Sequence, residues 1–419
     1  MSEDKIGTVL VVGGGISGMT TAIEAAEVGY ETVIVEKNPY LGGRVAQLNR
    51  YFPKICPPYC GLEINFRRIK QNPKITYYTM AQVESLNGTE GDFKARIRIS
   101  PRFVNEKCTA CNKCTEACPV ERPNEFNFNM DKTKAIYLPH DMSFPMKYVI
   151  DKNVCKGSSC GKCLEVCKYN AIDLNMEPKI VELKVSSVVF STGWDPYDAK
   201  NMDNLSFGKV KNVIFNMMME RLAAPGGPTK GKILRPSDGK EVKDIAFVQC
   251  AGSRDVNHLS HCSAICCMAS LKQTIYVREQ YPDSKVTIYY IDLRAPGKYE
   301  DFLKKVGSDE NVKMLKGKVA KIEEDPETQD PIVVVEDIVG GGKLRVKHDM
   351  VVLATGMNPA INAAKAPDII KTEDMGFIEE GQTAGIYSAG VAKRPYDVST
   401  SVQDATATAL RTIQSIVRR

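Results

Sequence analysis

The sequence predicts an α/β protein of two parallel-sheet domains, the first of them split by an inserted cysteine-rich module. Three observations predict it. A strand–turn–helix–strand pattern punctuated by glycines stands at residues 8–36. Eight cysteines in two tight runs lie between residues 108 and 167, where apolar character breaks off and then resumes. Strand-like apolar runs recur after residue 244 with helical stretches between them. At 419 residues the chain has room for two or three domains and a substantial core.

Thr8–Val12 is a short run rich in β-branched residues, as a strand buried on both faces should be. Gly13, Gly15 and Gly18 then spell GxGxxG. The first permits a tight turn, the second lets backbone approach a pyrophosphate, and the third lets helix and strand pack closely. Ile16, Met19, Ile23 and Ala26 line one helix face, and Gly29 stops the helix. A second strand, Glu31–Glu36, ends in an acid placed to accept hydrogen bonds from a ribose. Ser17 in the turn and Lys37 beside the acid join the predicted contacts. So far the pattern implies a dinucleotide and leaves FAD and NAD both open. Gly42, Gly43 and Arg44 tip it toward FAD, because this Gly-Gly-Arg loop resembles that of two-dinucleotide-domain flavoproteins, the thioredoxin reductase and glutathione reductase relatives. The resemblance implies a thioredoxin reductase-like fold and further FAD contacts at Val83, Thr192, Gly193, Gly390 and Val391.

Residues 1–7 are polar and carry no signal-peptide pattern, and no segment approaches the roughly 18 apolar residues of a membrane span. The expectation is a cytoplasmic protein with no direct membrane span, tied to a membrane only through a partner. Fourteen cysteines in such a protein argue for metal or redox work and against disulfides. The formal charge of +5 counts every cysteine as neutral. Three thiolate-bound cubanes at about −2 each, with an FAD pyrophosphate, bring the holoprotein near −3, so the charge gives no ground for a nucleic-acid partner.

Cys56 and Cys60 follow the flavin loop with three residues between them, including Pro57 and Pro58. The pair reads either as redox-active or cofactor-facing, or as two packed thiols near the flavin. Residues 74–85 and Asp92–Ile99 read as strands of the first domain.

Cys108, Cys111, Cys114 and Cys118, followed by Pro119, form the C-x2-C-x2-C-x3-C-P run of bacterial ferredoxins. Cys155, Cys160, Cys163 and Cys167 repeat it as C-x4-C-x2-C-x3-C, with Lys168 in place of proline. One short loop and turn can aim three thiolates at one cubane, and the fourth cysteine of each run crosses to the other. One [4Fe-4S] cluster is therefore assigned to Cys108, Cys111, Cys114 and Cys167, and a second to Cys155, Cys160, Cys163 and Cys118. Apolar character resumes with a strand at 184–190, and 191–193 resembles the segment that ends a strand against FAD.

Residues 195–243, rich in Gly, Pro and charge, read as a long surface connection. A strand at 244–249 stands where a nicotinamide domain would begin, but its glycine fingerprint is missing. Cys250, Cys262, Cys266 and Cys267 stand there instead, the last three near the first turn of a helix at 264–280, where the dipole favours an anionic cluster. They are read as the ligands of a third cubane. His258 and His261 read as polar loop residues. Strands follow at 286–292, 311–323 and 332–339, with a helix reaching about residue 306. Residues 350–356 lead back to the flavin domain, and Gly390 is followed by Val391 where such flavoproteins carry aspartate. The final helix, 402–419, places Val402, Ala405, Ala409, Ile413 and Ile416 on one face, with Arg418 and Arg419 at its negative end. The domain reading is thus a flavin domain in three pieces (1–99, 176–243 with the connection, and 350–419), a ferredoxin insert at 100–175, and a degenerate NAD(P)H-type domain at 244–349.

Taken together, GGRVAQ, the double cysteine run, VVFSTGWDPYD, GKILRPSDGKE, CAGSRD…HCSAICCM and YYIDLRAPGKYEDF resemble the A-type subunits of heterodisulfide reductase over almost the whole chain. In length the chain is closer to the A-type component of the quinone-interacting membrane-bound oxidoreductase (Qmo) complex of sulfate reducers. The resemblance implies an electron-transfer protein that works within a complex. Its implied partners are adenylylsulfate reductase, a haem-bearing membrane subunit and a second flavin/iron–sulfur subunit. The alternative is an NAD(P)H-dependent disulfide reductase using Cys56 and Cys60. No residue is assigned as general acid, base or nucleophile.

Overall fold

The computed structural model describes residues 7–363, 367 and 369–417. The chain divides into two compact units, one comprising Met1–Ala46, Tyr59–Trp194 and Pro359–Arg419, the other Gln47–Pro58 and Asp195–Asn358.

The first unit is built on a five-stranded parallel sheet in the order Ile386–Ser388, Ser187–Phe190, Thr8–Val12, Glu31–Glu36, Ile75–Thr79. Its central strands are apolar apart from Thr8 and Ser187, because both faces are covered. On one side lies the helix Ile16–Glu27, with Met19, Ala22 and Ile23 fully buried, and its Thr21 hydroxyl donates to the Ala405 carbonyl of the terminal helix Val398–Val417. On the other, an antiparallel sheet of Lys179–Val185, Asp92–Ile99 and Ala81–Thr89 contributes Phe93, Ala95 and Ile97 to a core shared with Leu10, Val35 and Phe190. Each such fully buried large side chain contributes about 1.5–3 kcal/mol relative to exposure. The sequence-predicted strand at 74–85 is two strands broken at Met80, which has φ +56°, and that at 184–190 is two strands meeting at Ser186. The terminal helix begins four residues earlier than its stripe suggests. Ala405 and Ala409 are buried, while Thr408 and Thr412 share that face. Arg418 and Arg419 lie outside the described residues.

Within this unit the cysteine-rich insert has its own small core of Phe103, Val104, Ile136, Tyr148, Ile150 and Ala171. Two short antiparallel ribbons frame it, Glu121–Pro123 with Lys132–Lys134 and Ile136–Tyr137 with Val149–Ile150.

The second unit carries another five-stranded parallel sheet, ordered Val213–Phe215, Met350–Thr355, Asp244–Ala251, Lys285–Tyr290, Val312–Lys316. An antiparallel sheet of Val319–Glu324, Pro331–Glu336 and Lys343–Lys347 packs with it. Two features depart from the sequence reading. The stretch 195–243 is more than a surface connection, for it supplies the edge strand Val213–Phe215 and the helix Asn216–Ala223, almost wholly buried. Six consecutive buried residues also put Met350–Thr355 inside this second sheet, whereas the sequence reading begins the last flavin segment at 350. Such a strand needs a neighbour on each side, and it has Val213–Phe215 and Asp244–Ala251.

Candidate flavin turn and cysteine centres

In the first turn, sterics assign each glycine a different task. Gly13 has φ +111°, and a Cβ there would lie 2.3 Å from the Ser191 carbonyl oxygen. A Cβ on Gly18 would lie 1.8 Å from the Gly13 carbonyl oxygen, so helix and strand meet only without one. At Gly15 the nearest atom to a Cβ is the Gly43 Cα, 3.9 Å away, which leaves the backbone open to a ligand. Gly42 and Gly43 are held against this turn by a hydrogen bond from Gly42 N to Gly14 O of 2.8 Å. Arg44 follows in a 3-10 turn and donates from Nε to the Trp194 carbonyl at 3.1 Å.

Glu36 is 5 % exposed, and burial pushes its carboxyl up against the pull of nearby donors. Its Oε2 accepts from Gly14 N at 2.7 Å, while Oε1 accepts from the backbone and side-chain amides of Asn38 at 2.8 and 2.7 Å. Three of about four acceptor positions are thus filled, which leaves one on Oε2. Lys37 is exposed beside it. Val83 is half-buried in the strand Ala81–Thr89, at a register shift opposite Ile97. Thr192 buries an Oγ1 that has no hydrogen-bond partner among the described residues, and a Cβ on Gly193, with φ +70°, would meet open space. Gly390, with φ +63°, approaches so closely that a Cβ would fall 2.0 Å from Ser17 Oγ, and Val391 beside it is buried. An open backbone cradle and an orphaned buried hydroxyl are features an FAD would satisfy. The aspartate missing after Gly390 has a counterpart in space. Asp404 of the terminal helix accepts from Gly390 N at 2.8 Å and from Lys393 Nζ at 2.9 Å. Sequence reasoning missed this residue because fourteen positions separate the partners.

The two runs of the insert fold alike. In each, a left-handed residue (Asn112, φ +67°; Gly161, φ +60°) starts a one-turn helix, Lys113–Ala117 or Lys162–Val166. Each helix ends on an extended cysteine, Cys118 or Cys167. A 3-10 turn at Gly157–Ser159 absorbs the extra residues of the C-x4-C spacing. Burial, with Cys108 nearby, pushes the Cys114 thiol up to about 12. Burial also raises the Cys163 thiol, and Cys155 and Cys118 act on it together, so the fourth cysteine of the first run stands near the second run. Gly157 N and Ala171 N donate to the sulfurs of Cys155 and Cys167 at 3.4 Å.

In the second sheet the strand Asp244–Ala251 bulges after Val248, and Cys250 takes φ +56° there, which re-aims its side chain. The loop that follows is pinned by Leu259 N to Gly252 O at 2.9 Å and by Ser253 Oγ against Ser263 Oγ at 3.1 Å. Cys266 and Cys267 open the helix Cys266–Gln280, two residues later than predicted, while Cys262 precedes it with Ala264 N donating to its sulfur at 3.4 Å. Burial pushes the Cys266 thiol up, reinforced by the neighbouring Cys267, Cys250 and Cys262, so the four thiols stand within electrostatic reach of one another. Burial raises Cys250 and Cys267 as well, and Arg254 and Arg294 pull Cys250 the other way. Thiolates there need positive company, which an iron–sulfur centre and these arginines supply. Both arginines lie in segments that carry the family resemblance, CAGSRD and YYIDLRAPGKYEDF, but the sequence assigns neither a role. His258 and His261 are occupied by the Tyr197 hydroxyl and the Met357 carbonyl. Among the described residues no three His, Cys, Asp or Glu side chains close on a single metal ion. Behind the thiols, Lys272 of the same helix forms a buried ion pair with Glu220 at 2.9 Å, and Gln273 and Tyr276 also bond to Glu220. Cys56 and Cys60 are both exposed.

The sequence model of the FAD-dependent oxidoreductase family matches residues 8–57. Among solved structures the chain shares its fold with the thioredoxin reductase of T. acidophilum (TM-score 0.53, 14% identity, 98% of each chain). It is likewise similar to the bacillithiol disulfide reductase Bdr of Bacillus cereus (TM-score 0.54, 12% identity, 99% of each chain). These similarities show a thioredoxin reductase-like α/β fold. The second A-type iron-sulfur subunit of the CoB–CoM heterodisulfide reductase of Methanopyrus kandleri is 38% identical over 97% of this chain and 64% of its own. The A-type subunit of the H2:CoB–CoM heterodisulfide, ferredoxin reductase of Methanothermobacter thermautotrophicus is 36% identical over 99% of this chain and, again, 64% of its own. The chain therefore spans somewhat under two thirds of the length of these relatives. Over nearly all of its own length the chain is a homologue of those heterodisulfide reductase subunits.

Proposed function

We propose that the chain is an FAD- and iron–sulfur-dependent oxidoreductase subunit that passes electrons between a flavin and three [4Fe-4S] clusters and works inside a larger complex. FAD, when bound, exchanges electrons in pairs and each cluster exchanges them singly. Gly13, Gly15 and Gly18 would let the turn and the helix start approach the pyrophosphate, and Glu36 would offer its remaining acceptor position to the ribose. Ser17, Lys37, Gly43, Arg44, Val83, Thr192, Gly193, Gly390 and Val391 complete the proposed flavin contacts.

The ferredoxin cysteines would hold two clusters in the crossed arrangement, with N–H groups donating to sulfur as one lever on potential. Cys250, Cys262, Cys266 and Cys267 would hold the third, with Arg254 and Arg294 offsetting its charge. The observation that carries this reading is the second turn, where a bulged strand and a helix start bring four thiols and two arginines together in place of a glycine fingerprint.

The finer placement is a cytoplasmic subunit held at a membrane by a haem-bearing partner. With a second flavin/iron–sulfur protein it would link the quinone pool to adenylylsulfate reductase in sulfate reduction. That placement rests on the Qmo resemblance alone. Among the described residues no helix is long and apolar enough to cross a membrane. The disulfide reductase reading is not favoured, since the turn it would need for a nicotinamide is the one filled with thiols.

Anaerobic mixing of the flavin-loaded chain with donors tests the proposal. Reduced viologen should bleach flavin and clusters, while NADH and NADPH leave the flavin oxidised. Flavin reduction by either nucleotide at a rate comparable to the viologen would overturn it.

A further inference from the structure

The second sheet repeats the opening topology of the first. Strand Asp244–Ala251, helix Cys266–Gln280 and strand Lys285–Tyr290 follow one another as Thr8–Val12, Ile16–Glu27 and Glu31–Glu36 do. In open parallel sheets a ligand lies beyond the carboxyl ends of the strands, and an acid after the second strand serves a ribose. Glu36 has that place in the first sheet. Asp292, two residues past Tyr290, has it in the second. The thiols fill the turn after Asp244–Ala251, where a pyrophosphate would lie. They leave the other end of such a site untouched, where the ends of Lys285–Tyr290 and Val312–Lys316 face the helix Tyr299–Gly307.

A cavity of about 680 Å³ opens at that end, and its lining belongs wholly to the second unit. Ligand pockets commonly measure roughly 300–1,000 Å³. Leu293, Leu303 and Met314 give it apolar walls, each of them half-buried. Met314 and Lys316 face the cavity because Leu315 between them turns to the core on the opposite face of the strand. Lys316 is exposed and enters no ion pair among the described residues, while Lys304 meets Glu300 at 3.4 Å with both side chains largely in solvent. Asp292 accepts from Arg254 Nη2 at 2.8 Å through Oδ2, and its Oδ1 has no hydrogen-bond partner among the described residues. Ser308 also lines the cavity, but its hydroxyl is spent on the Lys305 carbonyl.

Apolar walls suit a flat uncharged base, an open carboxylate oxygen suits a ribose hydroxyl, and two lysines suit a phosphate. Adenine fits such walls better than guanine, whose edge carries a carbonyl and two kinds of N–H that would be buried without partners. We propose that the second domain binds an adenine ribonucleotide of AMP size in this cavity, with no redox step. The base lies against Leu293, Leu303 and Met314, Asp292 takes a ribose hydroxyl, and Lys304 and Lys316 take the phosphate. A nicotinamide half has no glycine turn to lie on, so the seat is for a mononucleotide. The seat does not depend on what the thiols hold.

The test is calorimetric titration of AMP into the full chain, purified without oxygen and loaded with FAD so that the first turn is filled. One AMP should bind per chain. Lys304→Ala with Lys316→Ala, both at exposed positions, should weaken binding about tenfold or more at unchanged flavin and iron content. Leu303→Trp, which fills the cavity, should abolish it. Nicotinamide mononucleotide, GMP and 2′,3′-dideoxy-AMP should each bind about tenfold more weakly than AMP, reporting the adenine walls and Asp292 in turn. Absence of AMP binding in the FAD-loaded chain would overturn the proposal, since the site would then be that of the first turn. Equal affinity of the double lysine variant and the parent, or of nicotinamide mononucleotide and AMP, would overturn it as well. The iron content of the same samples judges the thiol centre separately.

Discussion

The turn after Thr8–Val12 and the turn after Asp244–Ala251 occupy equivalent places in two parallel sheets, each between a buried strand and the start of a helix. In the first, every side chain that could obstruct the backbone is missing: two Cβ positions are blocked by main chain and a third faces open space. In the second, the strand bulges and the loop is closed by serine hydroxyls, while thiols and arginines fill the space. Both arrangements suit negative charge, the first through N–H groups and a helix dipole, the second through side chains. On the proposed reading, the same scaffold position serves a dinucleotide in one sheet and a metal centre in the other, according to whether glycine or cysteine follows the strand.

The comparison is broken most violently at Gly18. Gly18→Val would drive a side chain into the Gly13 carbonyl, and destabilisation of about 3 kcal/mol or more is expected, with flavin lost and melting lowered in the flavin-free chain. Cys266→Ala acts on the other turn. It should remove about four irons per chain and the EPR signal of one cluster while flavin content stays at the parental value, and Cys56→Ser should remove none. Gly15→Ala then sharpens the contrast, because its Cβ meets only Gly43 Cα at 3.9 Å. The melting curve of the flavin-free chain should be unchanged while FAD affinity falls about tenfold, since only the bound pyrophosphate needs that space.

The smallest effect concerns the segment that brings Gly390 against Ser17. Lys393 there lies between Glu380 and Asp404. Burial opposes ionisation of Glu380, but its bonds to Lys393 and Arg411 win and hold the carboxyl below its ordinary 4.5. Stability from this group is therefore complete above pH 4.5 and is lost as pH falls through the lower folded value. Thermal melts below pH 4.5 should fall less steeply in Glu380→Gln than in the parent.

How much of this is legible in the sequence follows from the range of the interactions involved. The first turn and the double cysteine run are readable because their chemistry is spelled out within a few dozen residues. Cys250 with Cys262, Cys266 and Cys267 is readable for the same reason, yet Arg254 and Arg294, though inside quoted segments, are assigned no role by the sequence, since their importance comes from where the sheet places them. Asp404 stays hidden because the flavoprotein pattern asks for an aspartate beside Gly390, not on the helix that follows. The helix Cys266–Gln280 buries Lys272, Gln273 and Thr274, residues that a polar/apolar pattern assigns to solvent. Lys272 and Gln273 are partnered there by Glu220, from a helix inside the stretch that composition marks as a connection, and Thr274 by the Ser270 carbonyl of its own helix.

The central claim is that thiols at the second turn hold an iron–sulfur centre where a nicotinamide would otherwise bind. Its most direct test is the iron-to-flavin ratio of the chain isolated intact and without oxygen. The account predicts about twelve irons per flavin, three cubanes of four. A ratio of eight or fewer in fully loaded protein, with Cys266→Ala no different from the parent, would contradict it.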